Sequence, residues 1–203
     1  MKQLISILIF VCIYNSGFSQ DDFLFERKNL NELRTYEKSI NSEYLGFVKT
    51  KVAKDYFPTA KENHDYYPLS YKRTNDDFFP QLGIEYFYDE NDSTLLSTSY
   101  DWNIMSYVKN LKTDGDKFEV EKKRKKEYLK KYNNIKQELI NKYGEPKTVE
   151  ENESGDGYFY RLRWENESNE ILVLLKFSTK LKVLPGDMKI GSYNIRVKID
   201  YIK

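Results

Sequence analysis

The sequence predicts an α+β fold, in which an N-terminal helical segment and one long helix cover a largely antiparallel sheet. Two stretches of alternating apolar and polar residues flank a polar turn at residues 90–92, which is typical of a hairpin. A helical stripe of apolar residues follows at 128–143, and three further strand patterns after it indicate a three-stranded meander.

The first 19 residues have the pattern of a signal peptide. Lys2 precedes an apolar run that ends at Tyr14, which is long enough for the apolar region of a signal peptide and too short to span a bilayer. Gly17 and Ser19 supply the small side chains expected before a cleavage site. We therefore expect a bacterial exported protein, periplasmic or secreted, with residues 20–203 as a single domain and no transmembrane segment.

Composition limits the chemistry of the mature part. The single cysteine, Cys12, lies inside the predicted signal peptide, and the bulky Val11 before it disfavours a lipid anchor. Residues 20–203 therefore have no disulfide, thiol nucleophile or thiolate metal site. The sequence contains 33 Lys and Arg and 32 Asp and Glu residues, so its net charge is +1. A net charge so close to zero argues against a nucleic-acid partner.

The N-terminal third predicts helix followed by irregular chain. From Phe23 to Tyr56 the apolar residues approximate one helical face, which indicates one or two helices, and Pro58 ends the pattern. Residues 57–82 hold three prolines among paired aromatics. This composition predicts an irregular segment that lies over the core.

The hairpin has two distinct faces. One parity is apolar and is expected to pack inward: Ile84, Tyr86, Tyr88, Leu96, Tyr100 and Trp102. The opposite parity combines one ring with acids and hydroxyls and is the candidate ligand-binding face: Glu85, Phe87, Ser97, Ser99 and Asp101. A ring that stacks on a sugar, beside groups that bind its hydroxyls, is one use of such a face. The alternative is that Phe87 packs beneath residues 57–82.

The C-terminal half carries the clearest periodicity. Apolar residues recur at helical spacing over 128–143, after which Gly144 predicts a left-handed cap and Pro146 prevents continuation. Strands are predicted at Tyr158–Trp164, Ile171–Phe177 and Tyr193–Tyr201. The second of them is apolar on both parities and should lie inside the sheet.

Motifs for catalysis or cofactor binding are sparse. His64 is the only histidine, and neither a nucleophile elbow, a zinc ligand set nor a phosphate-binding glycine loop is present. The turn that starts at Asp89 begins like a calcium loop, but Thr94 replaces the expected glycine and Tyr100 the twelfth ligand. The basic run at 121–126 predicts a solvated helix face, with an anionic lipid or glycan surface as the alternative partner. No cofactor or metal is therefore expected.

These observations favour a noncatalytic exported domain that binds a protein or glycan partner. Two other classes stay open. Glu85 and Asp101 share a strand face and could serve a carboxylate-dependent hydrolase, which needs only two acids at a suitable separation. A structural or assembly component of the cell envelope is the third class. The sequence does not define an oligomeric state.

Overall fold

The computed structural model describes residues 23–47, 50–51, 65–74, 78–104, 120–183 and 189–202. Within these ranges the complete helices are α1 (Leu30–Ser39) and α2 (Lys125–Tyr143). The strands are β1 (Glu43–Phe47), β2 (Thr50–Lys51), β3 (Asp65–Tyr66), β4 (Leu69–Arg73), β5 (Leu82–Tyr88), β6 (Leu95–Asn103), β7 (Thr148–Ser154), β8 (Gly157–Glu165), β9 (Asn169–Ser178), β10 (Lys182–Val183), β11 (Lys189–Ile190) and β12 (Tyr193–Tyr201).

An eight-stranded antiparallel sheet organises the described chain. Its order is β1-β4-β5-β6-β12-β9-β8-β7, and β2–β3 and β10–β11 form separate pairs. The C-terminal strand β12 therefore lies between β6 and β9 and joins two meanders, one built before α2 and one after it. The predicted largely antiparallel sheet is confirmed.

Both helices pack on one face of the sheet, which we call the core face. On α2 the rings of Tyr128 and Tyr132 contact Phe177 and Tyr160, with centroid separations of 5.3 and 5.5 Å. The middle of β9 contributes fully buried side chains to the same core, as its apolar sequence predicts: Ile171, Val173 and Leu175. Burial of such side chains is the main favourable term in folding.

The segment before α1 has no regular secondary structure, in contrast to the predicted helix, and is bound to the core. The ring of Phe23 packs edge-on against Tyr100 at a centroid distance of 5.0 Å. The amide of Leu24 donates to the Tyr100 hydroxyl at 2.8 Å, and the Tyr201 hydroxyl donates to the Leu24 carbonyl at 2.6 Å. These contacts join the chain before α1 to both β6 and β12.

Helix α1 is shorter than the pattern predicts. Asn29 and Glu32 form a capping box, because the Asn29 side chain accepts from the Glu32 amide while the Glu32 carboxylate accepts from the Asn29 amide. After Ser39 the chain turns through Asn41, which has a φ of +57°. Residues 43–47 then form β1 instead of a helix, because they pair with β4, a contact that helical periodicity cannot reveal.

Two further strands of the eight-stranded sheet, β4 and β7, were not predicted. Residues 69–73 are β4, inside the sheet, although the prolines around them indicated irregular chain. Residues 52–64 and 75–77 of the neighbouring sequence, His64 included, lie outside the described residues. Strand β7 is a polar edge strand, mostly exposed, and therefore lacks the apolar alternation that marks a half-buried strand.

The hairpin β5–β6 forms with one change of register. The pairing shifts between Phe87 and Tyr88, so that Tyr88 lies opposite Leu95. This bulge turns Leu95 into the core, where it is fully buried, and leaves Leu96 half-buried. The prediction that Leu96 shares the inward parity is therefore wrong.

Helix α2 ends where predicted but with a different cap. Gly144 has φ +78° and ψ −166°, so it is not left-handed helical, although its positive φ still requires glycine. Its amide donates to the Ile140 carbonyl at 2.8 Å. Its carbonyl accepts from Nε1 of Trp164 at 2.8 Å, which joins the end of the helix to β8.

Candidate functional site

We call the second face of the sheet, opposite the helices, the polar face. The register of β5 and β6 brings the predicted site residues together on it. Glu85 lies opposite Ser99, Phe87 lies opposite Ser97, and Asp101 follows on the same parity opposite Gly83. Glu85 and Asp101 are thus diagonal neighbours, which corresponds to about 7–8 Å between their strand positions.

Much of this predicted patch is buried. The exposed fractions are 4% for Phe87, 1% for Ser97 and 7% for Ser99. A ring with so little exposed surface cannot stack on a sugar while the surrounding residues keep their positions. This burial favours the alternative in which Phe87 packs beneath covering chain.

The side chain of Asp101 is bound to residues of the neighbouring strand β12. Its Oδ2 accepts from Nη2 of Arg196 at 2.5 Å, and its Oδ1 accepts from Nδ2 of Asn194 at 3.4 Å. The side chains of Asp101 and Arg196 are 18% and 27% exposed. A carboxylate held in this way is suited to orienting a guanidinium rather than to proton transfer.

A depression of about 230 Å³ opens on the polar face beside Arg196. Two rows of side chains cross the strands here. The first row contains Asn103, Asn194, Lys176 and Phe159, and the second contains Asp101, Arg196, Leu174 and Arg161. The lining of the depression takes members from both rows and from the start of β12: Asn103, Leu174, Lys176, Ser192, Tyr193, Asn194 and Arg196.

No family model, no curated protein and no solved structure matches this chain. Among the described residues, no group of three or more His, Cys, Asp or Glu side chains is arranged to hold a metal ion. The same part of the chain contains no helix that is long and apolar enough to cross a membrane.

Beside the depression, Phe159 offers a half-buried ring on strand β8. The Cζ of Arg161 lies 5.3 Å from the ring centroid, and Nζ of Lys176 lies 5.7 Å from it. Cations at these distances interact favourably with an aromatic face. Together with the lining of the depression, this gives a ring, two amides, a hydroxyl and three cations.

Farther along β12 the polar face holds a second charge pair, Lys198 and Asp200. Nζ of Lys198 donates to Oδ2 of Asp200 at 2.6 Å, and the lysine side chain is 4% exposed. Burial lowers the pKa of Lys198 and raises the pKa of Asp200, although the partner charge opposes each shift. Removal from water thus outweighs attraction at this pair, which lies outside the lining of the depression.

The basic run before and within α2 is partly structural. The Arg124 guanidinium donates to the Phe79 carbonyl at 2.6 Å and bonds Glu127 at 2.8 Å. Nζ of Lys125 lies 4.0 Å from the centroid of the Tyr158 ring. The other cations of the run are exposed, as the prediction of a solvated face requires: Lys122, Lys123 and Lys126.

The carboxylates of the acidic hairpin turn accept hydrogen bonds from residues of the same turn. Asp89 accepts from the amide of Asn91 at 3.0 Å, and Asp92 accepts from the amide and hydroxyl of Thr94 at 2.9 and 2.6 Å. These bonds hold the pKa of Asp92 below its usual value. The resemblance to a calcium loop therefore reflects turn chemistry.

Sequence reasoning did not identify the residues around the depression. The strand predicted at Tyr193–Tyr201 contains Asn194 and Arg196, but its sequence does not indicate which residues lie beside them. Asp101 and Arg196 are 95 positions apart in the chain. Only the pairing of β6 with β12 brings them together, and no local pattern specifies that pairing.

Proposed function

We propose that this chain is a noncatalytic binding domain that acts after export, in the periplasm or outside the cell, and binds a glycan on the open part of the polar face. The observation that carries the proposal is the depression beside the half-buried Phe159 ring. Small-ligand sites combine apolar contact with a few polar groups that fix orientation. A sugar requires the same combination, because its C–H face is apolar and its rim is made of hydroxyls.

The polar groups suit sugar hydroxyls. Asn103 and Asn194 can each donate and accept, and Ser192 can do both through one oxygen. At about 230 Å³ the depression is smaller than the roughly 300–1,000 Å³ of pockets that enclose drug-sized ligands. It fits one sugar unit, with the remainder of the glycan lying across the open strands.

Binding is favoured over hydrolysis by the composition of the lining. Glycoside hydrolysis needs two carboxyl groups that flank the bond. Among the lining residues that the structure describes there is no carboxylate, and Asp101 next to them is engaged by Arg196. The site therefore has groups that hold a sugar and lacks a pair that would cleave it.

A glycan array screened with the mature protein tests the proposal. We expect the protein to bind a defined set of glycans and the Phe159→Ala variant to lose that binding. The control variant Phe79→Ala should retain it, because it truncates a ring that lies outside the depression and is 52% exposed. Urea unfolding of both variants verifies that they remain folded. The absence of any bound glycan, or equal binding by a folded Phe159→Ala variant, would overturn the proposal.

Export is tested by intact-mass measurement on protein recovered from the envelope or the medium. The small residues Gly17 and Ser19 lead us to expect a chain that begins near Gln20. A recovered mass that includes residues 1–19, or that carries an added diacylglycerol, would contradict this expectation.

A further inference from the structure

The depression contains charged side chains that a site for a neutral sugar does not need. Lys176 and Arg196 contribute two cations to its lining, whereas the described lining residues include no acid. A neutral sugar needs hydrogen bonds but no net charge. Asp101 beside the lining balances the charge of Arg196, so the net positive charge of the depression comes from Lys176. A net positive charge in a small depression favours a ligand that carries an anion.

The two cations are held differently. Arg196 donates a hydrogen bond from Nη2 to Oδ2 of Asp101 on β6 at 2.5 Å, and this bond holds the guanidinium beside the depression. Lys176 is directly opposite Asn194 on one side and Phe159 on the other. Its Nζ lies 5.7 Å from the centroid of the Phe159 ring, and a ring compensates an ammonium only weakly.

Strand register sets the positions of these groups. Asn194 and Arg196 are two residues apart on β12, and Lys176 is the direct neighbour of Asn194 on β9. Lys176 and Arg196 are therefore diagonal neighbours on one face, which corresponds to about 7–8 Å between their strand positions. One oxyanion can contact both side chains across such a gap, because both are long and cationic.

We infer that the depression is an acidic-sugar subsite, in which the carboxylate of a uronic acid lies between Lys176 and Arg196 while the sugar ring packs on Phe159. This inference rests on the proposed function and specifies its ligand class. The planar guanidinium matches the geometry of a carboxylate. The amides of Asn103 and Asn194 bind the hydroxyls of the same sugar unit.

The test uses matched ligands that differ in charge alone. Oligomers of galacturonate, glucuronate and mannuronate are titrated into the mature protein, each beside its carboxyl-reduced neutral counterpart. We expect at least one acidic oligomer to bind about tenfold more tightly than its neutral counterpart, as a charge-assisted hydrogen bond would produce. The preference should shrink as salt is raised, because the site is open to solvent.

Lys176→Met removes the ammonium and keeps an unbranched stem beside Phe159. We expect the ratio of its acidic to neutral affinities to fall to about one; this ratio is the readout because Lys176 also lines the depression, so that neutral binding changes with it. Lys126→Met, on the exposed surface of α2, removes the same charge from the other side of the sheet and should leave the preference unchanged.

The outcomes separate this inference from the proposed function. Equal binding of acidic and reduced oligomers, or an unchanged preference in Lys176→Met, would overturn the acidic subsite and leave glycan binding in place. Binding to neutral glycans alone would likewise overturn the acidic subsite and leave glycan binding in place. If no saccharide of any kind binds, the proposed function fails and the subsite falls with it.

Discussion

Arg73 and Glu37 form an ion pair between β4 and α1, with 2.6 Å from Nη2 to Oε1 and with 6% and 0% of the two side chains exposed. The hydroxyls of Ser42 and Tyr86 also donate to the Glu37 carboxylate. Burial alone would lower the pKa of Arg73, but the hydrogen bond and charge of Glu37 outweigh it and raise that pKa. The Arg73 guanidinium therefore stays protonated inside the core.

Arg73→Met should destabilise the fold strongly, because it leaves the Glu37 carboxylate buried without its cation. Removing one partner of a buried pair typically costs about 3–5 kcal/mol. Lys180→Met is the control, since it breaks an exposed pair with Asp156 and should change stability by at most about 0.5 kcal/mol. Urea unfolding measures both, and equal shifts for the two variants would refute a structural role for the buried pair.

Gly144→Ala should destabilise the end of α2 by about 1–3 kcal/mol, because its φ of +78° and ψ of −166° lie in a region that is open essentially to glycine alone. Space is not limiting, since an added Cβ would meet nothing within 4 Å. Gly155→Ala is the matched control, because its Cβ would meet only Nζ of Lys180 at 3.5 Å and its φ is not positive. Thermal unfolding compares them, and similar melting temperatures would show that backbone strain is absent at Gly144.

Phe87→Ala should reduce the free energy of unfolding by about 3–5 kcal/mol, because the ring is 4% exposed and its removal leaves a cavity. Phe79→Ala, at 52% exposed, should lose far less. Denaturant midpoints distinguish the two. A stable Phe87→Ala variant that has lost glycan binding would instead restore the hairpin face as the ligand site.

Stability should fall steeply as the pH rises above about 10. Burial raises the pKa of Tyr100, Tyr86 and several other tyrosines, and it raises the pKa of Tyr143 to about 12. In the unfolded chain tyrosines ionise near the usual value of about 10. Between those values the folded state binds more protons, so the stabilisation present below pH 10 is lost as the pH rises towards the folded pKa.

Tyr143→Phe isolates one contribution to this alkaline loss. Without that phenol, the decline of stability between pH 10 and about 12 should become shallower, by less than the linkage of one full proton because the Tyr143 side chain is only partly buried. Urea midpoints measured across this interval, with phenolate absorbance as a second probe, provide the test. Identical slopes for parent and variant would show that Tyr143 titrates normally.

Local pattern was sufficient for the hairpin, for α2 and for the strands β8, β9 and β12, because each has a periodicity that its own burial imposes. It was insufficient for β7, whose edge position removes the apolar alternation, and for β4, where nearby prolines masked a short strand. The prediction of helix for the residues of β1 was wrong, because they pair with β4, which a local pattern cannot reveal.

The sequence by itself determined which residues alternate, which helix face is apolar and that Glu85, Phe87, Ser97, Ser99 and Asp101 share one strand face. Only the tertiary structure decided that most of this patch is buried and that Asp101 meets Arg196 of β12. Period and parity are properties of neighbouring residues along the chain. The insertion of β12 between β6 and β9 depends on the packing of the whole sheet, and this insertion builds the depression lined by Lys176 and Arg196.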